Sequence, residues 1–474
     1  MLEKKTKIIA TIGPASRSKE MLWNLYQAGA NVFRLNFSHG SHDDHLQTIT
    51  WIRELNEENG ANICMLQDLQ GPKIRTNMIE GGAVEVKEGD TIQIAAGDFE
   101  GNAKRISTTY QTIAEDLKVG EAILIDDGNI ELKVESIAND EVTARFINGG
   151  VLKSRKGINL PESDLSVPSL TEKDEKDLLF GIEQDVDWIA LSFVRNAKDI
   201  IDLKKTIADA GRQIGVIAKI EKPEAIDNMD AIIEVTDALM VARGDLGVEV
   251  EMEKVPLIQK ELVQKCNKAA KPVIIATQMM ESMITNPRPT RAEANDVANA
   301  ILDGTDVVML SAETAAGDYP IQAVGAMSKI IQNVEKNTES IYNKFDPIDG
   351  TTETNINESL LFSACRVAEH TDSQAIVAMS GSGFSAYEIA KRRPKTNIFV
   401  FTPDKSLITR LSLIWGVRAY HYNDETKSTD DTIDNVNDIL LKKGDIKKGD
   451  TIVNTLGMPV WKGGRTNTLK ISKI

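Results

Sequence analysis

Eight short apolar runs recur up to residue 314, and each ends abruptly in charged, hydroxyl or glycine residues. They span Lys7–Gly13, Asn31–Ser38, Asn62–Leu69, Asp187–Val194, Gly215–Glu221, Ala238–Leu246, Pro272–Met279 and Val307–Thr314. Runs that are apolar throughout, rather than alternating, predict strands buried on both faces of a parallel sheet. Helical patterns separate most of them. Ser18–Ala28 opens on an N-cap serine, carries Met21, Leu22 and Leu25 on one face and stops at Gly29. Thr171–Gly181 begins with a capping-box pair, Thr171 and Asp174. Val324, Met327, Ile331 and Val334 mark a further helix. The alternation predicts an α/β fold, a (β/α)8 TIM barrel, in which the C-terminal rim of the strands carries the chemistry.

Between the third and fourth runs, over 70–166, the period changes to two. Val84–Lys87, Thr91–Ile94, Ala122–Ile125 and Ile130–Val134 read as strands, with turns at Glu88-Gly-Asp, Asp126-Asp-Gly and Asn148-Gly-Gly. This predicts a small all-β domain, a β-barrel lid inserted in a rim loop. The barrel itself is then 1–69 and 167–345. Polar Asn343–Asn357 reads as a linker, and 346–474 as a C-terminal α/β domain for effector binding and oligomerisation. Its expected strands are Ala375–Ser380, Asn397–Thr402, Arg418–Tyr422 and Thr451–Leu456.

Charge narrows the partners. A net charge of -16 disfavours a nucleic-acid or anionic-membrane surface, so an anionic substrate requires a local cluster of Arg and Lys. No run approaches the roughly 20 apolar residues of a membrane span, and Met1-Leu-Glu-Lys-Lys lacks a signal-peptide core. Scattered Cys64, Cys266 and Cys365 read as core thiols in a reducing cytoplasm. The five histidines form no convincing metal pair.

The strand ends supply that cluster. Alternation places Arg34, Asn36 and Ser38 on one side of the second strand, where they are costly unless they bind something. The third ends in Asp68 and, a few residues on, Arg75, able to fork onto a phosphoryl group. Lys219 and Glu221 share a face of the fifth. Asp245 ends the sixth beside Gly244, which admits close backbone approach, and can pair with Glu221 around Mg2+ or Mn2+. Thr277 ends the seventh, and Ser311 and Glu313 the eighth. Taken singly, each could be a solvated loop residue, and Arg243–Asp245 an ordinary ion pair. Together they suit a phosphorylated carboxylic acid bound through metal, and phosphoryl transfer needs little beyond positioning, cations and a metal bridge. There is no Gly-x-x-x-x-Gly-Lys-Ser/Thr loop, so a nucleotide is bound another way.

These motifs resemble the pyruvate kinase family from end to end: Thr11-Ile-Gly-Pro-Ala-Ser16, Arg34-Leu-Asn-Phe-Ser-His-Gly40, Ala218-Lys-Ile-Glu221, Ala242-Arg-Gly-Asp-Leu-Gly247, Ala276-Thr-Gln-Met279 and Ser311-Ala-Glu-Thr314, in order. The resemblance implies phosphoenolpyruvate and ADP as substrates and pyruvate and ATP as products. It implies Arg34 on the phosphoryl group, Lys219 on its charge in flight, Glu221 and Asp245 on Mg2+, and Thr277 with the backbone at Gly244 and Asp245 on the carboxylate. It also implies Arg75 on the nucleotide, with His39, Lys156 and Lys173 as further candidates, enolate protonation through water and hydroxyls near Thr277, and a cytoplasmic homotetramer. A metal-dependent aldolase of pyruvate, needing neither the lid nor Lys219, and a catalytically silent effector-binding barrel are the rival readings.

Two departures from the family pattern carry expectations. Asp68-Leu-Gln-Gly-Pro-Lys-Ile-Arg75 stands where many members read Asp-Thr-Lys-Gly-Pro-Glu-Ile-Arg, which points to the bacterial-type, K+-independent subgroup. Asn36, Ser38 and Asp68 resemble monovalent-cation ligands, and the Lys73 ammonium would stand in for K+. In the C-terminal domain Ser380, Ser382, Gly383 and Ser385 form a hydroxyl- and amide-rich loop suited to a phosphorylated allosteric effector, faced by Trp461 and Arg465, with Phe384 where many relatives carry Arg.

Overall fold

The computed structural model describes residues 4–163, 165–344, 352–423, 428–459 and 464–474. Eight parallel strands close a barrel: Lys7–Ile12, Val32–Asn36, Cys64–Asp68, Trp188–Leu191, Gly215–Ile220, Ala238–Ala242, Val273–Ala276 and Val307–Leu310. The first pairs with the last, Lys7 opposite Val307. Nearly every strand residue is buried, as continuous apolar runs require. At Gly215 a Cβ would meet the Trp188 ring at 2.4 Å, so only glycine lets these neighbours pair.

The strand bottoms are pinned by side chains. Asp187, Asp237 and Asp306 each accept a neighbouring strand's backbone N–H, from Met65 (2.7 Å), Val216 (2.9 Å) and Val273 (2.9 Å). Three of the apolar runs are therefore preceded by aspartate for a structural reason: the carboxylate completes the ladder where pairing begins.

Several strands stop earlier than their apolar pattern suggests. Arg243–Leu246 is not strand but the start of a helix, Arg243–Glu249. Thr277 and Gln278 turn left-handed (φ 68° and 53°), and Ala312–Ala315 is a helical turn. The capped helices Lys19–Ala28 and Glu172–Glu183 form with their N-cap bonds from Ser18 and Thr171, and Pro320–Asn337 buries Val324, Met327, Ile331 and Val334.

The inserted unit has its own core, including Ile92, Ile94, Ile123, Leu132, Val142 and Phe146. Its six-stranded sheet includes strands that the alternation does not single out, Arg105–Thr108, Glu141–Asn148 and Ile158–Asn159, and Gly150–Lys153 pairs with Ala83–Val86. Asp126 and Asp127, both at positive φ, make the tight turn expected of them. The C-terminal sheet runs Val417–His421, Asn397–Thr402, Ala375–Met379, Thr451–Leu456, Thr468–Lys473, the last strand antiparallel and unexpected. The expected linker is cut short: Thr352–His370 is helical, while 345–351 lie outside the described residues. No helix among the described residues is long and apolar enough to cross a membrane. Cys64, Cys266 and Cys365 are buried free thiols, and burial pushes Cys365 up to about 12.

The C-terminal unit packs under the barrel. Arg393 pairs with buried Asp306 (2.9 Å), Lys7 Nζ donates to Val417 O (2.8 Å), and Thr409 donates to Asp187. Burial raises the Asp187 carboxyl, against the hydrogen bonds from Thr409 and Met65, to about 6. A carboxyl raised in the folded state favours folding below its unfolded value of 3.8, and that contribution is lost as pH rises to about 6. Asp187→Asn should therefore gain on the wild type by about 3 kcal/mol between about pH 4 and about pH 6.5. Urea unfolding of both proteins at each pH checks this; a constant difference would show that Asp187 titrates normally.

Candidate active site

The second barrel strand delivers its polar residues as alternation predicts. Leu35 and Phe37 are buried, whereas Arg34, Asn36 and Ser38 are only partly covered. Arg34 donates from Nε to Asp68 Oδ2 (2.6 Å) and from a terminal nitrogen to Thr11 Oγ1 (3.0 Å). Lys219 Nζ lies 2.9 Å from Glu221 Oε1, 3.3 Å from Asp68 Oδ1 and 2.7 Å from Ser192 Oγ. Three strand ends thus supply the charges of one ionic cluster, and Thr11 and Ser192 add hydroxyls from two more.

Burial alone would lower the Lys219 pKa, but Asp68 and Glu221 outweigh it and hold the ammonium above the ordinary lysine value. Burial would raise Asp68, yet Arg34 and Lys219 keep it below the usual carboxylate range. Glu221 moves the other way: burial raises it against the pull of Lys219, and Asp245 adds to the rise. A carboxylate raised by burial and by a like charge is one that a shared cation relieves. Glu221 and Asp245 therefore fit a divalent ion. Among the described residues no three His, Cys, Asp or Glu side chains form a complete metal cage, so two hard carboxylates would be completed by ligand oxygens.

Other candidates form smaller groups. Gly244 N–H donates to Thr277 Oγ1 (2.7 Å), joining the ends of the sixth and seventh strands. Lys73 Nζ stands 3.4 Å from Asp245 Oδ1, rather than among Asn36, Ser38 and Asp68, and Asn36 Oδ1 instead accepts from Ser38 N–H (3.1 Å). Arg243 does not pair with Asp245; it forks onto Asp296, both bonds at 2.8 Å. Lys173 donates to Phe37 O (2.6 Å), at the rim beside exposed His39. On the inserted unit, Arg75 donates to Arg155 O (3.3 Å) and Lys156 pairs with Asp126 (2.7 Å).

Ser192 and Phe193 escaped sequence reasoning. Ser192 Oγ accepts a hydrogen bond from Lys219 Nζ and donates to Leu69 O (2.7 Å), while Phe193, at φ 53°, gives its N–H to Glu221 Oε2 (2.8 Å). A Cβ at Gly71 would strike both residues at 2.8 Å. The available signal was the run ending in Leu191-Ser-Phe, a hydroxyl at a strand end like Thr277.

In the C-terminal unit, Ser380 Oγ accepts from Gly383 N–H (3.0 Å) and Ser382 Oγ from Phe384 N–H (3.4 Å). Buried Ser385 bonds Thr466 (3.0 Å), next to exposed Arg465, and Gly383 takes φ 85° ahead of the helix Phe384–Lys391. Trp461 lies outside the described residues.

Two family models match, the pyruvate kinase barrel domain over residues 3–324 and the pyruvate kinase alpha/beta domain over 358–472. The chain belongs to the pyruvate kinase family. It is 46% identical to a pyruvate kinase of Geobacillus stearothermophilus, covering 100% of this chain and 81% of the relative. It is 44% identical to one of Staphylococcus aureus, covering 99% and 80%. A crystal structure of a pyruvate kinase from Cryptosporidium parvum superposes with a TM-score of 0.91 at 35% identity, over 99% of this chain and 96% of that one. The protein is a phosphotransferase, and the aldolase and silent-barrel readings fall.

Proposed function

We propose that this pyruvate kinase moves the phosphoryl group of phosphoenolpyruvate to ADP, with Mg2+ or Mn2+ as cofactor, without a requirement for K+ and under control of a phosphorylated metabolite. The observation that carries the reading is Lys219, a fully charged buried ammonium beside Arg34 on a shared Asp68. Arg34, oriented by Asp68 and Thr11, forks onto the phosphoryl group. Lys219, held by Ser192 and two carboxylates, meets the charge that grows on phosphoryl oxygens as the bond to the enol oxygen breaks and the bond to an ADP oxygen forms. Glu221 and Asp245 would hold the divalent ion, which supplies positive charge to phosphoryl, carboxylate and enolate oxygens when bound. Gly244 N–H donates to Thr277 Oγ1 (2.7 Å), whose own hydroxyl donates to Ala276 O (2.6 Å), and a substrate carboxylate accepts from both donors in their place. The enolate then takes a proton at carbon through water near the Thr277 hydroxyl.

Arg75, His39, Lys156 and Lys173 are the proposed nucleotide contacts, with the inserted unit acting as lid. The Ser380–Ser385 loop with Arg465 is the proposed effector site; its serine hydroxyls already hold two amides, so an anion there takes their place. Exposed Met252 and Leu257 offer apolar surface for the contacts of a homotetramer.

A coupled assay of pyruvate formation tests the reading. Activity should require ADP and a divalent ion. No divalent-dependent pyruvate would overturn it. Fructose 1,6-bisphosphate, a sugar monophosphate and AMP, added in turn, should include one that shifts half-saturation by phosphoenolpyruvate; silence from all three removes the effector.

A further inference from the structure

The turn after the seventh barrel strand is held in a conformation its residues disfavour. Thr277 lies at φ 68° and Gln278 at φ 53°. A left-handed β-branched residue is a genuine outlier, and two such residues in succession persist only where their surroundings over-determine them. The turn has a consequence for chemistry. It swings Thr277 Oγ1 to 2.7 Å from Gly244 N–H, forming the proposed carboxylate pocket from two different strand ends.

Arg243 supplies the hold. One terminal nitrogen donates to Thr277 O (2.9 Å) and lies 2.9 Å from Met279 Sδ, on either side of the second left-handed residue. The guanidinium is fixed in turn by two parallel bonds to Asp296 of the helix Arg291–Asp303. On the far side of the turn, buried Glu313 accepts the Met280 N–H (3.2 Å) and the Ser311 N–H (2.6 Å). Arg243 also immediately precedes Gly244. Its backbone therefore sets the amide half of the pocket while its side chain sets the hydroxyl half.

We propose that Arg243, braced by Asp296, is a positioning residue that staples Gly244 N–H and Thr277 Oγ1 into one carboxylate-binding unit. It touches no substrate and acts through the left-handed turn. The inference rests on the reading of Thr277 and Gly244 as the carboxylate pocket. A lysine at 243 retains the charge but cannot fork onto Asp296 while reaching Thr277 O. A displacement of about 1 Å at such a site costs on the order of 10²-fold in rate.

The test measures, for full-length Arg243→Lys, Asp296→Asn and Thr277→Ala, the steady-state constants for both substrates and the exchange of pyruvate methyl protons with deuterated solvent. Arg243→Lys should lower kcat by about 10–100-fold, raise the KM for phosphoenolpyruvate, leave the KM for ADP unchanged and slow methyl exchange in parallel with kcat. Adding Gln278→Gly to Arg243→Lys should recover part of the loss, because glycine adopts φ 53° without strain. A merely structural arginine would lower the folded fraction, leave both KM values alone and gain nothing from Gln278→Gly; that result overturns the proposal. Wild-type behaviour of Arg243→Lys alongside an impaired Thr277→Ala overturns the staple and spares the pocket. A silent Thr277→Ala overturns the pocket and the staple with it. If Arg243→Lys does not fold, Asp296→Asn carries the same expected pattern and is judged by the same outcomes.

Discussion

Lys219→Met is expected to reduce turnover by about 10²–10³-fold while the protein still folds and binds its divalent ion. A preorganised cation facing developing charge contributes about 3–4 kcal/mol to the barrier. The ammonium suits that task because Asp68 and Glu221 keep it charged despite burial. It also neutralises those two carboxylates, each only 1% exposed in its side chain. Removing it leaves Asp68 its bond from Arg34, but Glu221 only the Phe193 N–H. Breaking a buried ion pair from one side typically costs about 3–5 kcal/mol. The variant should therefore melt lower than wild type in chelator and regain part of the difference when Mg2+ is added. Single-turnover transfer and thermal melts, each with and without Mg2+, measure the two effects separately. Near wild-type turnover would reduce Lys219 to a structural ion-pair partner.

The part of this site legible in the chain follows simple rules. Period two put Lys219 and Glu221 on one face and grouped Arg34 with Asn36 and Ser38. Apolar runs ending in polar residues marked the rim. The missing part depends on backbone that leaves those rules. Ser192 and Phe193 work through a left-handed residue, and Asp296 meets Arg243 from 53 positions away. Neither leaves a periodic trace. The same limits shaped the fold. Barrel strands could be read because they are apolar throughout. Thr468–Lys473 was missed because it is an edge strand, with Ile471 half exposed and lysines at 470 and 473. The helix Thr352–His370 looked like linker at its start because its first residues are polar, Ile356 is exposed and the apolar face begins near Leu361.

Lys73→Glu should create a K+ requirement, on the proposal that the wild type has none. In a buffer free of K+ and Na+, with a large organic counter-ion, the wild type should already turn over fully. The variant should fall by about a hundredfold, roughly 3 kcal/mol of barrier, and recover when K+ is added. The reason is the local charge balance. Asp68 and Glu221 pair directly with Arg34 and Lys219, and Lys73 Nζ at 3.4 Å from Asp245 adds a third cation, covalently attached. A lysine ammonium is a compact point charge with three donors, close to K+ in what it offers an oxygen-lined pocket. It supplies that charge from Asp245 rather than from among Asn36, Ser38 and Asp68. Leu69 adds to this, since it carries no hydroxyl beside Asp68 to help coordinate a monovalent ion. Glutamate at 73 reverses the balance by two charges, and a free cation then becomes the cheapest way to restore it. The ammonium rests on Asp245, so its loss should weaken the binding of the anionic phosphoenolpyruvate along with turnover. A hundredfold rise in wild-type turnover on adding K+ would show that Lys73 does not replace the ion.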